Sequence, residues 1–295
     1  MSKDEIAGPT EPGAAAVTYA TYLKVNELLS LQQPLTSPPQ HDETLFIIIH
    51  QVYELWFKQL LHEVGRAAIA LEQGQVLLFG RIAQRMVKIQ EVLTHQVDVL
   101  ETMTPVDFNR FRDNLNPASG FQSFQFRVME FRLGARDVGY LKFHVHDAAA
   151  TSALQTALAT PSLYDQFLHL LANRGFAIPK SVLGRDVTLP YTSTPEVLAA
   201  VLRIYRESEQ HYDLYSTLEA LINIDEGLLL WRQRHVAMVE RMIGTRRGTG
   251  GSSGVRYLAN TLSKRFFPEI WEARNFLGDG ESSYGNGKSS SKAHD

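Results

Sequence analysis

Cysteine is absent from this 295-residue chain. That excludes disulfides, thiolate nucleophiles, Cys-ligated zinc, iron–sulfur clusters, covalently attached c-type haem and thiolate-ligated haem. Any metal would have to sit on His, carboxylate, Tyr or Met. Charge of one sign is lacking as well: 29 Lys and Arg against 32 Asp and Glu leave a formal net charge of −3. Nothing global therefore draws the chain to nucleic acid or to an anionic membrane. Long hydrophobic runs are missing. The longest, Val197 to Leu202, falls far short of the roughly 18 residues that suggest a membrane span. Met1 to Val17 shows no basic segment followed by an apolar core, as a secretory signal would, so the expected location is the cytoplasm.

What is present reads as a globular protein, with 44% hydrophobic and 21% charged residues and length enough for a sizeable core. Residues 1–16 and 278–295 are rich in Gly, Pro, Ser and charge and are expected to be disordered. Between them, 17–277 is expected to form one all-α domain. A short amphipathic stretch from Tyr22 stops before Pro34, and a long proline-free helix should run from His41 to about Leu71. Gly74 and Gly80 should bracket a turn before a second helix from Arg81 to about Met103, and Thr104-Pro105 marks another helix start. Phe121 to Gly134 is apolar and periodic, Gly139 to Val145 could be a short extended piece, and 175–194 reads as a crossover. Helices from about Pro195 to Ile222 and Asp225 to Ile243 should follow, parted by a kink near Asn223.

Two of these helices carry a histidine in an apolar setting. In ETLFIIIHQVYELWFKQLLHE, Leu45, Ile48, Val52, Leu55 and Trp56 mark one apolar face; Phe46, His50, Tyr53, Phe57 and Leu61 mark another. A helix apolar nearly all round is expected in the middle of its domain. In LLLWRQRHVAMVERMIG, Trp231, His235, Met238, Val239 and Met242 share a face. Each imidazole is either a hydrogen-bonded core residue or a polar group aimed into a pocket, the second in the position of an axial haem ligand. Trp231 to Arg256 holds six Arg against Glu240 alone, which suits either a carboxylate-bearing cofactor or a solvated basic face.

The loop Gly248 to Gly254 could bring backbone close to a ligand or serve as a hinge. It lacks a P-loop ending, and its formal G-x-S-x-G around Ser252 follows a helix rather than a strand, so neither nucleotide binding nor a nucleophile elbow is expected. Arg112, beside Phe108 and Phe111, could grip a carboxylate bidentately or pair with Asp113. Ser119-Gly120 reads as a turn. No His follows a Glu by three residues, so the ferritin-like di-iron signature is missing, and His144 and His146 read as surface polar residues.

Four segments, FIIIHQVYELWFKQLLHE, ETMTPVDFNRFRDNLNPASGFQSFQFR, LWRQRHVAMVERMIG and RRGTGGSSGVRYL, resemble the tryptophan 2,3-dioxygenase family in order and spacing. The resemblance runs from about Thr18 to Leu277. It implies a helical protein with one haem b per subunit, ferrous when active, that uses O₂ to open the indole ring of L-tryptophan. The product would be N-formyl-L-kynurenine, the first step of tryptophan degradation by the kynurenine pathway. By the same resemblance His235 is the iron ligand, and His50 is the catalytic distal residue that hydrogen-bonds the indole N–H. Arg112 grips the substrate carboxylate, Thr249 fixes its ammonium and carboxylate, and Phe46 and Phe108 wall the indole. Ser119 and Gly120 lie beside the haem. Tyr19, Tyr22 and Leu23 match a helical N-terminal segment exchanged between subunits of a homotetramer, a dimer of dimers. A paralogue acting on a modified tryptophan, or a non-catalytic haem- or indole-binding protein, would share the same motifs.

Overall fold

The computed structural model describes residues 17–251 and 253–278. The expected disorder of 1–16 and of the tail from 279 on, like Ser252, lies outside the described residues. Among the described residues every regular element is helical, in line with the all-α expectation. The chain begins with two short helices, α1 (Tyr19–Leu23) and α2 (Val25–Leu29), parted by Lys24, which adopts a left-handed φ of 54°. The expected single stretch is therefore broken in two.

The long helix α3 (His41–Glu72) matches its expected span. Asp42 and Glu43 in its first turn complement the helix dipole. Glu43 is buried and accepts hydrogen bonds from the Leu35 and Thr36 amides and from the Thr36 hydroxyl, which ties the incoming loop to the helix start. Burial alone would raise its carboxyl, but these hydrogen bonds outweigh it and hold the group below its usual value. α4 (Val76–Leu100) starts before Gly80, which lies inside the helix rather than in a turn. α5 (Pro105–Asn109) begins as expected: Thr104 caps the Asp107 amide at 3.2 Å and Pro105 occupies the first turn.

α6 (Phe124–Leu133) follows a single 3₁₀ turn, Gly120–Gln122. The stretch read as extended is instead a 3₁₀ helix, Val138–Phe143, whose start is capped by Asp137. α7 (Ala148–Ala159) and α8 (Leu163–Asn173) lead into the expected crossover, which contains one short helix, α9 (Lys180–Leu183). α10 (Pro195–Arg206) ends well before Ile222, and α11 (Tyr212–Ile243) runs unbroken through Asn223. The break thus falls at 207–211, and α11 holds through Asn223 because Leu221, Ile222, Ile224 and Leu228 continue its buried, packed stripe. α12 (Val255–Ala259) and α13 (Pro268–Ala273) close the described chain.

α4 is the axis of the molecule and packs most extensively against α11 and α3. Gly227 lets α11 approach it closely, since a Cβ there would collide with the Gln90 side chain, whose Nε2 donates to the Ile224 carbonyl at 3.0 Å. Asp225, fully buried on α11, accepts from the Phe266 and Phe267 amides and from Trp271 Nε1, pinning the C-terminal segment to the core. One apolar face of α3 departs from expectation: Ile48 and Leu55 are exposed, Leu55 by 51%. Their side of the helix points away from α4, and nothing in the described chain covers it. No helix among the described residues is long and apolar enough to cross a membrane.

Candidate functional site

With α4 packed along both α3 and α11, a cavity of about 270 Å³ remains between those two helices and opens toward a second of about 160 Å³. His50 from α3 and His235 from α11 line both. Ser119 and Gly120 line the larger, Phe46, Phe108 and Arg112 the smaller, and Thr249 lines both. These eight positions come from five separate stretches of chain. Tyr19, Tyr22 and Leu23 do not join them: α1 projects from the molecule, with Tyr19 78% and Tyr22 76% exposed.

The two imidazoles differ in their bonding. His50 Nδ1 lies 2.7 Å from the Phe46 carbonyl, which can only accept, so Nδ1 carries the proton and Nε2 is left with its lone pair. The ring lies 4.1 Å from that of Phe46. Burial lowers the His50 pKa against the opposing pull of the Phe46 carbonyl and Glu54. His235 makes no hydrogen bond among the described residues. Burial, together with repulsion from the nearby His50, pushes it down to about 4. Both rings are therefore neutral at neutral pH, and each offers a nitrogen lone pair.

Arg112 sits at the aromatic end. Phe46, Phe108 and Phe111 surround one another with centroids 5.4 to 5.8 Å apart. The expected alternative of a pair with Asp113 is not formed; Arg112 Nη2 donates to the Arg247 carbonyl, at the edge of the glycine-rich loop. Thr249 Oγ1 donates to the Ala118 carbonyl at 2.6 Å, and Gly250 packs so closely on Ser119 that a Cβ would stand 2.7 Å from its hydroxyl oxygen. Through these contacts Thr249 and Gly250 lie over the Ser119-Gly120 turn at the cavity.

The opposite wall holds residues that sequence reasoning did not assign. Tyr53, Phe57, Phe126 and Trp231 form an aromatic cluster, and Trp231 lies nearly parallel to the His235 ring, at 12° and 5.2 Å. Beyond it Glu130, fully enclosed, takes Arg232 at 3.0 Å, Arg127 in a shorter contact and Lys264 at 3.5 Å. Burial would raise the Glu130 carboxyl, but the three cations hold it below its usual value. Tyr53 and Phe57 were visible on the His50 face of α3. Phe126, Arg127 and Glu130 belong to α6, and no spacing in the sequence ties that helix to the site.

The basic stretch resolves into several fates. Arg232 joins Glu130, Arg234 and Arg241 reach Glu101, and Arg246 reaches Asn109. His146 is exposed as expected. His144 is not a surface residue: it is buried, and desolvation, helped by Arg127, lowers its pKa against the pull of Asp147. Among the described residues no three His, Asp or Glu converge as a metal-chelating set. A lone unpartnered imidazole such as His235 does not hold a bare ion. It suits an iron whose equatorial positions a macrocycle already fills.

A helical protein with an aromatic-walled cavity, one imidazole on each side and a guanidinium at one end belongs to the class of helical cofactor- and ligand-binding proteins. The chain belongs to the tryptophan 2,3-dioxygenase family, whose model matches residues 4–203 and 199–277. It is 47% identical over 264 residues to a tryptophan 2,3-dioxygenase of Caulobacter vibrioides, covering 90% of this chain and all of that one. A tryptophan 2,3-dioxygenase of Herpetosiphon aurantiacus is 48% identical over 88% of this chain and 98% of its own. One of Myxococcus xanthus is 44% identical over 90% and 94%.

Proposed function

We propose that this protein inserts both atoms of O₂ across the indole C2–C3 bond of L-tryptophan, giving N-formyl-L-kynurenine. The observation that carries this reading is the pair of neutral imidazoles on one cavity, with Arg112 at its aromatic end. Haem b, one per chain, would be held by His235, with Ser119 and Gly120 beside it; in its ferrous state it supplies O₂ activation. Every other task falls to the side chains. The Nε2 lone pair of His50 accepts the indole N–H, and its neutral state keeps that acceptor available. Arg112 takes the substrate carboxylate through its planar fork, the one strong charge-assisted contact in an otherwise apolar setting. Thr249 fixes the ammonium and carboxylate, and Phe46 and Phe108 wall the indole and exclude water. Holding the ring in one orientation converts a bimolecular encounter into a positioned reaction.

Tyr19, Tyr22 and Leu23 act on a neighbouring copy in this reading. Their exposure here, and the open Ile48–Leu55 face of α3, support a homotetramer built as a dimer of dimers in which α1 completes another subunit's pocket. Residues 17–277 then work as one domain, in the cytoplasm. Light scattering that found a single chain in solution would remove that part of the proposal.

The test supplies purified protein with haem, reduces it anaerobically, and adds L-tryptophan and air while haem and N-formylkynurenine absorbance are followed together. Product at catalytic turnover is expected. Haem binding without product would leave a binding protein or a different substrate, and no haem binding would end the reading.

A further inference from the structure

A histidine that ligates a metal is usually oriented by its second ring nitrogen, which donates to a carboxylate or a backbone carbonyl. His235 has no such partner among the described residues: neither ring nitrogen makes a hydrogen bond to the protein. The χ2 torsion of a histidine is broad and only roughly two-fold, so an imidazole without that bond needs another constraint to present one nitrogen in one direction. The structure supplies a flat surface. Trp231, one turn earlier on α11, lies against His235 with ring planes 12° apart and centroids 5.2 Å apart. Residues at i and i+4 share a helix face, so the stack follows directly from the sequence W-x-x-x-H.

Trp231 is itself held on its other sides. The Phe126 ring lies 5.1 Å from it, Phe57 meets it edge-on at 90° and 6.3 Å, and Tyr53 meets it at 61° and 6.2 Å. Tyr53 in turn donates its hydroxyl to the Leu93 carbonyl at 2.7 Å, anchoring the cluster to α4. An unbroken path of packed rings thus runs from the core to the face of His235. We infer that Trp231 is a positioning residue that sets the orientation of His235 by ring stacking, in the place where a hydrogen-bond acceptor would ordinarily serve. This rests on the reading of His235 as the haem-iron ligand. It implies an imidazole that stays neutral, oriented by shape instead of by charge.

The experiment uses full-length haem-loaded protein with Trp231→Phe, Trp231→Leu, Trp231→Met and His235→Ala. Haem release to excess apomyoglobin, the ferrous iron–imidazole stretching band, and thermal unfolding of the haem-free chains are recorded. Phe keeps a flat face, so its release rate and band should stay close to wild type. Leu and Met remove the face; release should quicken by roughly tenfold or more, the scale on which outer partners of metal ligands act, and the band should broaden or shift. The Met variant, nearer in size and flexible, covers the case in which Leu fails to fold. Wild-type release and an unchanged band in Leu or Met, beside fast release in His235→Ala, would overturn the inference and leave the haem reading intact. Equal acceleration in Phe, Leu and Met, in step with lowered unfolding temperature, would also overturn it, since packing alone would then explain the loss. Unchanged release in His235→Ala would instead remove the haem-ligand reading on which it rests.

Discussion

His50 shows how much chemistry one hydrogen bond decides. Because the Phe46 carbonyl takes the Nδ1 proton, the nitrogen left over is an acceptor, and an acceptor is what an indole N–H requires. A ring in the other tautomer would present N–H to N–H. Were it protonated, both nitrogens would donate, and desolvation, which lowers the pKa of this ring, disfavours that form. The wild-type enzyme should therefore prefer L-tryptophan over 1-methyl-L-tryptophan in kcat/KM by an amount that includes one hydrogen bond, about 0.5–1.5 kcal/mol or roughly 2- to 10-fold. In His50→Ala that part of the preference should vanish, and steady-state kinetics on both substrates checks it. A preference left intact in the variant would place the N–H against some other group.

At the scale of elements, the site depends on a loop that must come unusually close to its neighbour. Gly250 packs on the Ser119-Gly120 turn, and Gly254 at φ 58° stands with its Cβ position 2.7 Å from the Arg246 carbonyl oxygen. No side chain is tolerated at either place without movement. Gly250→Ala should lift the loop, displace Thr249 from the Ala118 carbonyl and raise KM for tryptophan several-fold, by the loss of about one hydrogen bond. Ser119→Gly in the same chain removes the opposing side chain and should recover most of that loss. A KM that stayed high in the double variant would mean the loop is held by contacts other than Ser119. The helices obey a similar logic at Gly227, where α11 meets Gln90 of α4, and so the spacing of α4 and α11 is fixed beside the cavity they help enclose.

Across the whole molecule, the cavity wall is stabilised by one carboxylate that serves three cations. Glu130 joins α6 to Arg232 of α11 and to Lys264 in the C-terminal segment, so three distant parts of the chain meet at it. Removing its charge leaves buried guanidinium groups uncompensated. Glu130→Gln should cost about 3–5 kcal/mol in urea unfolding, the range for breaking a buried ion pair from one side. The pH dependence follows from the sign of the shift. A carboxyl held below its usual value of 4.5 binds fewer protons folded than unfolded, so its contribution is complete above that value and is lost as pH falls through the lower folded one. Wild-type stability should decline more steeply than that of Glu130→Gln as pH is taken below 4.5. Parallel declines would show that other carboxylates dominate acid unfolding.

The helical class and the span of α3 were legible in the chain itself, and so was the choice of His50, His235, Arg112 and Thr249 as candidates, which the fold brings to one pair of cavities. Periodicity, proline and capping residues are local signals, and the four long motifs carried the rest. The break at 207–211 was misplaced because helix continuity depends on packing as well as on local propensity. The 3₁₀ turn over Val138–Phe143 mimicked alternation over too few residues to tell apart. What the sequence could not contain was distance. That α6 brings Phe126 and Glu130 to the back of the cavity follows from which helix faces pack together, and such pairings span more than a hundred residues, as from Glu130 to Arg232. Local sequence determined the elements and the chemical groups they carry. Only the tertiary structure decided the His50 tautomer, the unpartnered state of His235 and the ring stacked against it, because each depends on which atoms the folded chain brings within a few ångströms.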